Sequence, residues 1–155
     1  NDDVMGTQVG GALKNVIAIA SGMVTGADFG ENARAALITR GLAEMARFGE
    51  SKGAKRETFM GLSGMGDLLL CCMSTTSRNM KFGFDLGKGT TANELLADGK
   101  PLAEGAHTVK AVYKLSQEQG IDMPICEAVY RVLYKGKTIK SEMATLLMRP
   151  QKTEA

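Results

Sequence analysis

Apolar residues recur along this 155-residue chain at intervals of three and four, and no segment sustains the strict alternation of a half-buried strand, so the pattern predicts an all-α domain. A first helix is expected from Val4 through Ser21, with small residues at Gly6, Gly10, Gly11, Ala12, Ala18 and Ala20. Each interior glycine costs a helix roughly 1 kcal/mol relative to alanine. Close approach of a neighbouring helix or of a ligand to those positions is the expected compensation. After a loop over Thr25 to Gly30, a second helix from Asn32 to Lys52 sets Ile38, Leu42 and Met45 on one stripe, and Gly53 stops it.

The centre is more broken. Short helical pieces are expected at Arg56 to Met60 and Asp67 to Cys72 around Gly61, Gly64 and Gly66, followed by the polar run Ser74-Thr75-Thr76-Ser77. Thr91-Ala92-Asn93-Glu94 fits a capping box, so a short helix begins there and ends near Gly99. Longer helices follow from Glu104 to Gln119, closed by Gly120, and from Pro124 to Lys135, closed by Gly136. In the latter, Ile125, Val129, Val132 and Leu133 make a single apolar face, and Pro124 suits the first helical position. A last helix from Ser141 to Met148 is stopped by Pro150. Residues 1–150 thus read as one helical domain and 151–155 as a polar tail.

Composition leaves that picture intact and narrows the partners. At 44% hydrophobic and 23% charged the chain can bury a real core. A net charge of +2, evenly mixed, argues against a nucleic-acid surface or a polybasic membrane patch and favours a small anionic substrate. The longest apolar run, Val16 to Ala20, is far below the roughly 20 residues of a membrane span. Cys71 and Cys72 are adjacent and Cys126 is remote, an odd count without metal-ligand spacing, which predicts a reducing, cytoplasmic setting and no metal.

Three segments carry candidate chemistry. Lys14, in Gly10-Gly11-Ala12-Leu13-Lys14-Asn15-Val16, is a cation on an apolar, small-residue helix. In a site of low dielectric such an ammonium exchanges its proton more readily, although a lysine stem snorkelling along a helix surface has the same sequence. Asp67, between Gly64-Met65-Gly66 and Leu68-Leu69-Leu70, reads as a helix N-cap or as the partner of a nearby ammonium. Ser77-Arg78-Asn79 opens a helix whose first-turn amides, positive end and guanidinium can address phosphate oxygens. Glu104-Gly105 reads as a cap and entry turn. Gly61-Leu62-Ser63-Gly64-Met65-Gly66 is no dinucleotide fingerprint, so the chain shows no nucleotide-binding fold of its own.

Taken together, Gly10 to Val16, Asn32-Ala33-Arg34 with Leu37 to Gly41, Gly66-Asp67-Leu68, Ser77-Arg78-Asn79 and Glu104-Gly105 resemble the C-terminal domain of the bacterial NAD(P)-dependent glycerol-3-phosphate dehydrogenases over essentially the whole chain. The resemblance implies a multi-helix domain of the 6-phosphogluconate dehydrogenase C-terminal-like type, whose N-terminal Rossmann domain would lie before Asn1. It implies reversible reduction of dihydroxyacetone phosphate to sn-glycerol 3-phosphate for glycerophospholipid synthesis. NAD or NADP would be bound mainly by that N-terminal domain, and a homodimer is compatible with the resemblance.

By position, the resemblance makes Lys14 the proton donor and acceptor and Asp67 its catalytic partner. Lys14, Asn15, Asp67, Ser77, Arg78 and Asn79 become the substrate-binding set, and Arg78, Leu102 and Glu104 the cofactor contacts. Where the family commonly carries threonine, four residues after the aspartate, this chain has Cys71, so a hydroxyl is replaced by a weak thiol donor and Cys71 is left out of the site. The alternatives are a related lysine-using hydroxyacid dehydrogenase and a helical dimerisation module without catalysis.

Overall fold

A computed structural model describes residues 3–74, 76–97, 99 and 103–150; Leu102 and the tail lie outside these. The described residues contain helices and no strand. In order they are α1 (Val4–Gly26), α2 (Glu31–Ser51), α3 (Arg56–Met60), a π turn (Leu62–Gly66), α4 (Asp67–Met73), α5 (Arg78–Gly87), α6 (Ala92–Leu95), α7 (Glu104–Gln119), α8 (Pro124–Tyr134) and α9 (Ile139–Met148). Most expected elements lie within a residue or two of these bounds. The short helix α6 ends at Leu95 rather than near Gly99, although Thr91 Oγ1 accepts from the Glu94 amide as its cap.

The larger departure is α1, which runs five residues past Ser21 and takes in Gly22 and Gly26. It is the central helix, packed against α2, α4, α5, α7 and α8. By length and composition it could cross a membrane, but 67% of its most apolar stretch is buried under these neighbours, as in a core helix. What carries the helix onward is a second face of small residues. A methyl built on Gly22 would stand 2.1 Å from the Met80 carbonyl oxygen, and one on Gly26 would stand 2.3 Å from that of Phe84. From the other side, a methyl on Gly83 would stand 1.9 Å from the Ile19 carbonyl oxygen, and one on Gly87 2.7 Å from that of Met23. Helices α1 and α5 therefore meet backbone to backbone through two Gly-x-x-x-Gly faces. Of the glycines expected to do this, Gly6 does meet a neighbouring helix, since a methyl there would stand 2.9 Å from Thr58 Cγ2 of α3, whereas Gly11 has nothing near it and Gly10 makes only ordinary contacts.

Polar side chains tie the periphery to the core. Asp3 caps α1 by accepting from the Gly6 amide, and it also accepts from the Lys55 amide and the Thr58 hydroxyl, which locks the start of α3 to the start of α1. Those hydrogen bonds, Thr58 foremost, hold its carboxyl below the usual range. On α2, three residues spaced by about one turn face inward with polar heads. Arg40 donates to the carbonyls of Leu146, Leu147 and Arg149 at the end of α9, and Arg47 donates to that of Asp122 before α8. Between them Glu44, 1% exposed, accepts from the amides of Ile125 and Cys126, both at 2.9 Å. It thereby caps α8 from another helix, a task no side chain at the N-cap position Met123 performs. Burial pushes its carboxyl up to about 7, against the opposing pull of the two amides.

Two measurements probe this framework. Gly83→Ala is expected to destabilise by about 3 kcal/mol or more, beyond the usual range for overpacking, because the obstacle is rigid backbone. A loss below about 1 kcal/mol on urea unfolding would contradict the close crossing. For Glu44, the folded carboxyl holds its proton up to about 7, whereas the unfolded one releases it near 4.5. Its contribution to stability is therefore full below 4.5 and is lost as pH rises toward 7. Relative to Glu44→Gln, the wild type should lose on the order of 3 kcal/mol between pH 4.5 and 7.5. Parallel stability curves for the two proteins would contradict this.

Candidate active site

Along α1, the side chains of Lys14 and Asn15 are the last with solvent access before Val16–Val24, all buried. They stand at the rim where the helix enters the core. One turn earlier, Gly11 is exposed and has no atom near its missing side chain, so the surface beside Lys14 is left clear.

Asp67 reaches this rim by a different route from the one its sequence context suggests. Its backbone is already helical and continuous with the π turn, and the N-cap position of α4 falls on Gly66, which has no side chain to cap with. The N-cap expectation is thus overturned. The turn is pinned by Gly64, where a methyl would lie 2.5 Å from the Phe59 carbonyl oxygen. Leu68 and Cys72 then anchor α4 in the core, and the Ser21 hydroxyl donates to the Cys72 carbonyl at 2.8 Å. The Asp67 carboxylate is left free to turn outward, with Oδ2 3.8 Å from Lys14 Nζ.

The two side chains keep 28% and 49% of their surface. An ion pair this open contributes about 1 kcal/mol or less to stability. What the pair does geometrically is set the carboxylate beside the ammonium. Lys14 keeps solvent access in this chain, in line with the helix-surface reading of its sequence.

The remaining residues converge through α5 and α7. Ser77 is the N-cap of α5, its Oγ accepting from the Met80 amide at 3.3 Å, as expected. Arg78 follows in the first turn, exposed and without a hydrogen bond or ion pair among the described residues. Asn79 turns inward, and its Oδ1 accepts from the Gly105 amide at 2.8 Å. The N-cap of α7 is Ala103, so Glu104 and Gly105 lie within the first turn rather than forming a cap. Glu104 Oε2 accepts from Asn15 Nδ2 at 3.3 Å. Gly105 packs on α1, where a methyl would stand 2.8 Å from the Asn15 carbonyl oxygen.

Helices α1, α4, α5 and α7 thus bring Lys14, Asn15, Asp67, Asn79 and Glu104 together, with Ser77 and Arg78 carried on the adjoining turn. Cys71, one turn after Asp67 on α4, is half-buried, while burial pushes the Cys72 thiol up to about 12 and keeps it protonated. A cavity of about 630 Å³ between α5, α6 and the α8–α9 loop shares no residue with this cluster. The sequence reading missed the role of Gly105 and of the α1–α5 glycines. The four-residue spacing of Gly22 with Gly26 and of Gly83 with Gly87 was the available signal.

Known proteins share this sequence and fold. A family model described as NAD-dependent glycerol-3-phosphate dehydrogenase C-terminus matches residues 3–144. A glycerol-3-phosphate dehydrogenase (NAD(P)+) of Staphylococcus epidermidis is 51% identical over 154 residues, covering 99% of this chain and 46% of that protein. Among solved structures, the glycerol-3-phosphate dehydrogenase of Coxiella burnetii superposes with a TM-score of 0.91 at 42% identity, over 96% of this chain and 46% of that one. That of Saccharomyces cerevisiae gives 0.83 at 34%, over 95% and 43%. The chain therefore spans about half the length of the relatives it matches.

Proposed function

The chain belongs to the NAD-dependent glycerol-3-phosphate dehydrogenase C-terminal family, and on that premise we propose that residues 1–150 form the substrate and acid/base half of an oxidoreductase that interconverts dihydroxyacetone phosphate and sn-glycerol 3-phosphate. The observation that carries this reading is the Lys14–Asp67 pair at the rim of α1, with an exposed arginine, unpaired among the described residues, on a turn tied to the same helix through Asn79 and Gly105. The cofactor is NADH or NADPH, held mainly by an N-terminal half such as its longer relatives have room for. Free thiols at Cys71, Cys72 and Cys126 fit a cytoplasmic enzyme.

The residues present suit the edge of a dinucleotide rather than its whole length. Arg78 offers an exposed, unpartnered guanidinium to a phosphate oxygen and Glu104 an exposed carboxylate, but the described residues include no strand to build a β-α-β phosphate cradle. A reduced nicotinamide, when bound, supplies the hydride to the carbonyl carbon. Lys14 then stabilises the negative charge that grows on the carbonyl oxygen and gives that oxygen its proton. In the reverse direction the neutral amine accepts the proton from the hydroxyl. Asp67 holds the ammonium toward the substrate, and Asn15 adds a polar contact next to it. Ser77, Asn79 and chiefly Arg78 take the phosphate at the positive end of α5.

In the full-length enzyme, Lys14→Ala should lower kcat by about a hundredfold or more while the thermal unfolding temperature stays within a few degrees of wild type. A folded variant with near-normal kcat would remove Lys14 from proton transfer. Residues 1–155 alone should show no dihydroxyacetone phosphate-dependent oxidation of NADH, and full turnover by that fragment would overturn the two-half reading.

A further inference from the structure

Three of the site's segments meet at one residue that has no side chain. Gly105 is buried in the first turn of α7, and its amide donates to Asn79 Oδ1 at 2.8 Å. The opposite side of the same residue faces α1. A methyl there would stand 2.8 Å from the Asn15 carbonyl oxygen, 2.9 Å from the carbonyl carbon and 2.8 Å from Ile19 Cδ1. The chain neighbours of these contacts are three of the charged groups of the site. Lys14 precedes Asn15, Arg78 precedes Asn79, and Glu104 precedes Gly105 and itself accepts from Asn15 Nδ2.

We propose that Gly105 is a positioning residue, which sets the separation between the Lys14 ammonium and the α5 turn bearing Arg78 by seating α7 against the α1 backbone while holding Asn79. This deepens the oxidoreductase reading and rests on it. The carbonyl oxygen and the phosphate of one small substrate must meet Lys14 and Arg78 together, so the span between those two groups must match the molecule. A covalent geometry of fixed length tolerates little error, and a misplacement on the order of 1 Å can cost about a hundredfold in rate. Lys14 and Arg78 are both cations, which repel rather than pair, and both side chains are long and flexible. The spacing is therefore imposed by backbone contacts, and Gly105 makes one on each side. Its lack of a side chain is needed for both, because an added methyl must push α7 away from Asn15 or drag Asn15, and Lys14 with it, along α1.

The test is steady-state kinetics of the full-length enzyme carrying Gly105→Ala, compared with Met143→Ala. Met143 is fully buried in α9 and far from the site in sequence, so its truncation is expected to cost stability alone. At a temperature where both variants are folded by circular dichroism, Met143→Ala should keep kcat/KM for dihydroxyacetone phosphate within about twofold. Gly105→Ala should lose tenfold or more, through a raised KM for that substrate and a lowered kcat together. Equal kinetics for the two variants would overturn the positioning role. If Gly105→Ala does not fold, Ile19→Val/Gly105→Ala removes the Cδ1 obstacle while leaving the Asn15 carbonyl in the way, and the same tenfold criterion applies to it. If the unsubstituted full-length protein does not reduce dihydroxyacetone phosphate, the oxidoreductase reading fails and the positioning role goes with it. If it does reduce that substrate and only the Gly105 comparison fails, the oxidoreductase reading stands.

Discussion

Backbone contact between α1 and α5 is the constraint from which the rest of the domain follows. Gly22 and Gly26 on one helix and Gly83 and Gly87 on the other leave no room for even a methyl group. Each of those glycines weakens its own helix by roughly 1 kcal/mol relative to alanine, so the crossing exists only because tertiary packing outweighs local propensity. Protein interiors are packed too densely to absorb a mismatch at such a contact by small adjustments. The body of α5 is therefore held at a definite height along α1, and the turn bearing Ser77 and Arg78 is built out from that crossing.

Around this crossing, the domain satisfies helix ends at long range. Asp3 joins the starts of α1 and α3, Glu44 caps α8 from within α2, and Arg40 closes the end of α9. A helix terminus buried without partners would leave several amides or carbonyls unpaired. Supplying those partners from another helix does two jobs, since the same bond that satisfies the terminus also orients it. Glu44 carries the cost of this arrangement, because its carboxyl is wholly removed from water and must either stay protonated or bear a buried charge.

The site itself is built in the opposite style. Its ionic groups are half-open, its central ion pair is too exposed to matter for stability, and its arginine has no partner among the described residues. Functional groups left under-satisfied at a rim are available to a ligand. The rigidity lies beneath them, in buried contacts of Asn79, Gly105 and the Ser21–Cys72 bond, which hold backbone rather than charge.

The helical class and most helix bounds were legible in the sequence because they rest on local signals. The apolar period gave α2 and α8, Pro124 and Gly120 marked a start and a stop, and Ser77 and Thr91 cap as their spacing suggests. The set Lys14, Asp67 and Ser77-Arg78-Asn79 was legible as chemistry through its joint resemblance to a known family. What the chain alone did not reveal depended on partners far away in sequence. The glycines that matter are Gly22, Gly26, Gly83 and Gly87 rather than Gly10 and Gly11, because closeness is a property of two helices and a glycine reads the same whether or not another backbone lies against it. Asp67 gave up the capping role for the same reason, since a π turn upstream made its backbone helical and left its carboxylate to a lysine 53 positions earlier. Sequence determined which segments could be helices and which groups could react; only the packing of one backbone against another decided how far apart those groups stand.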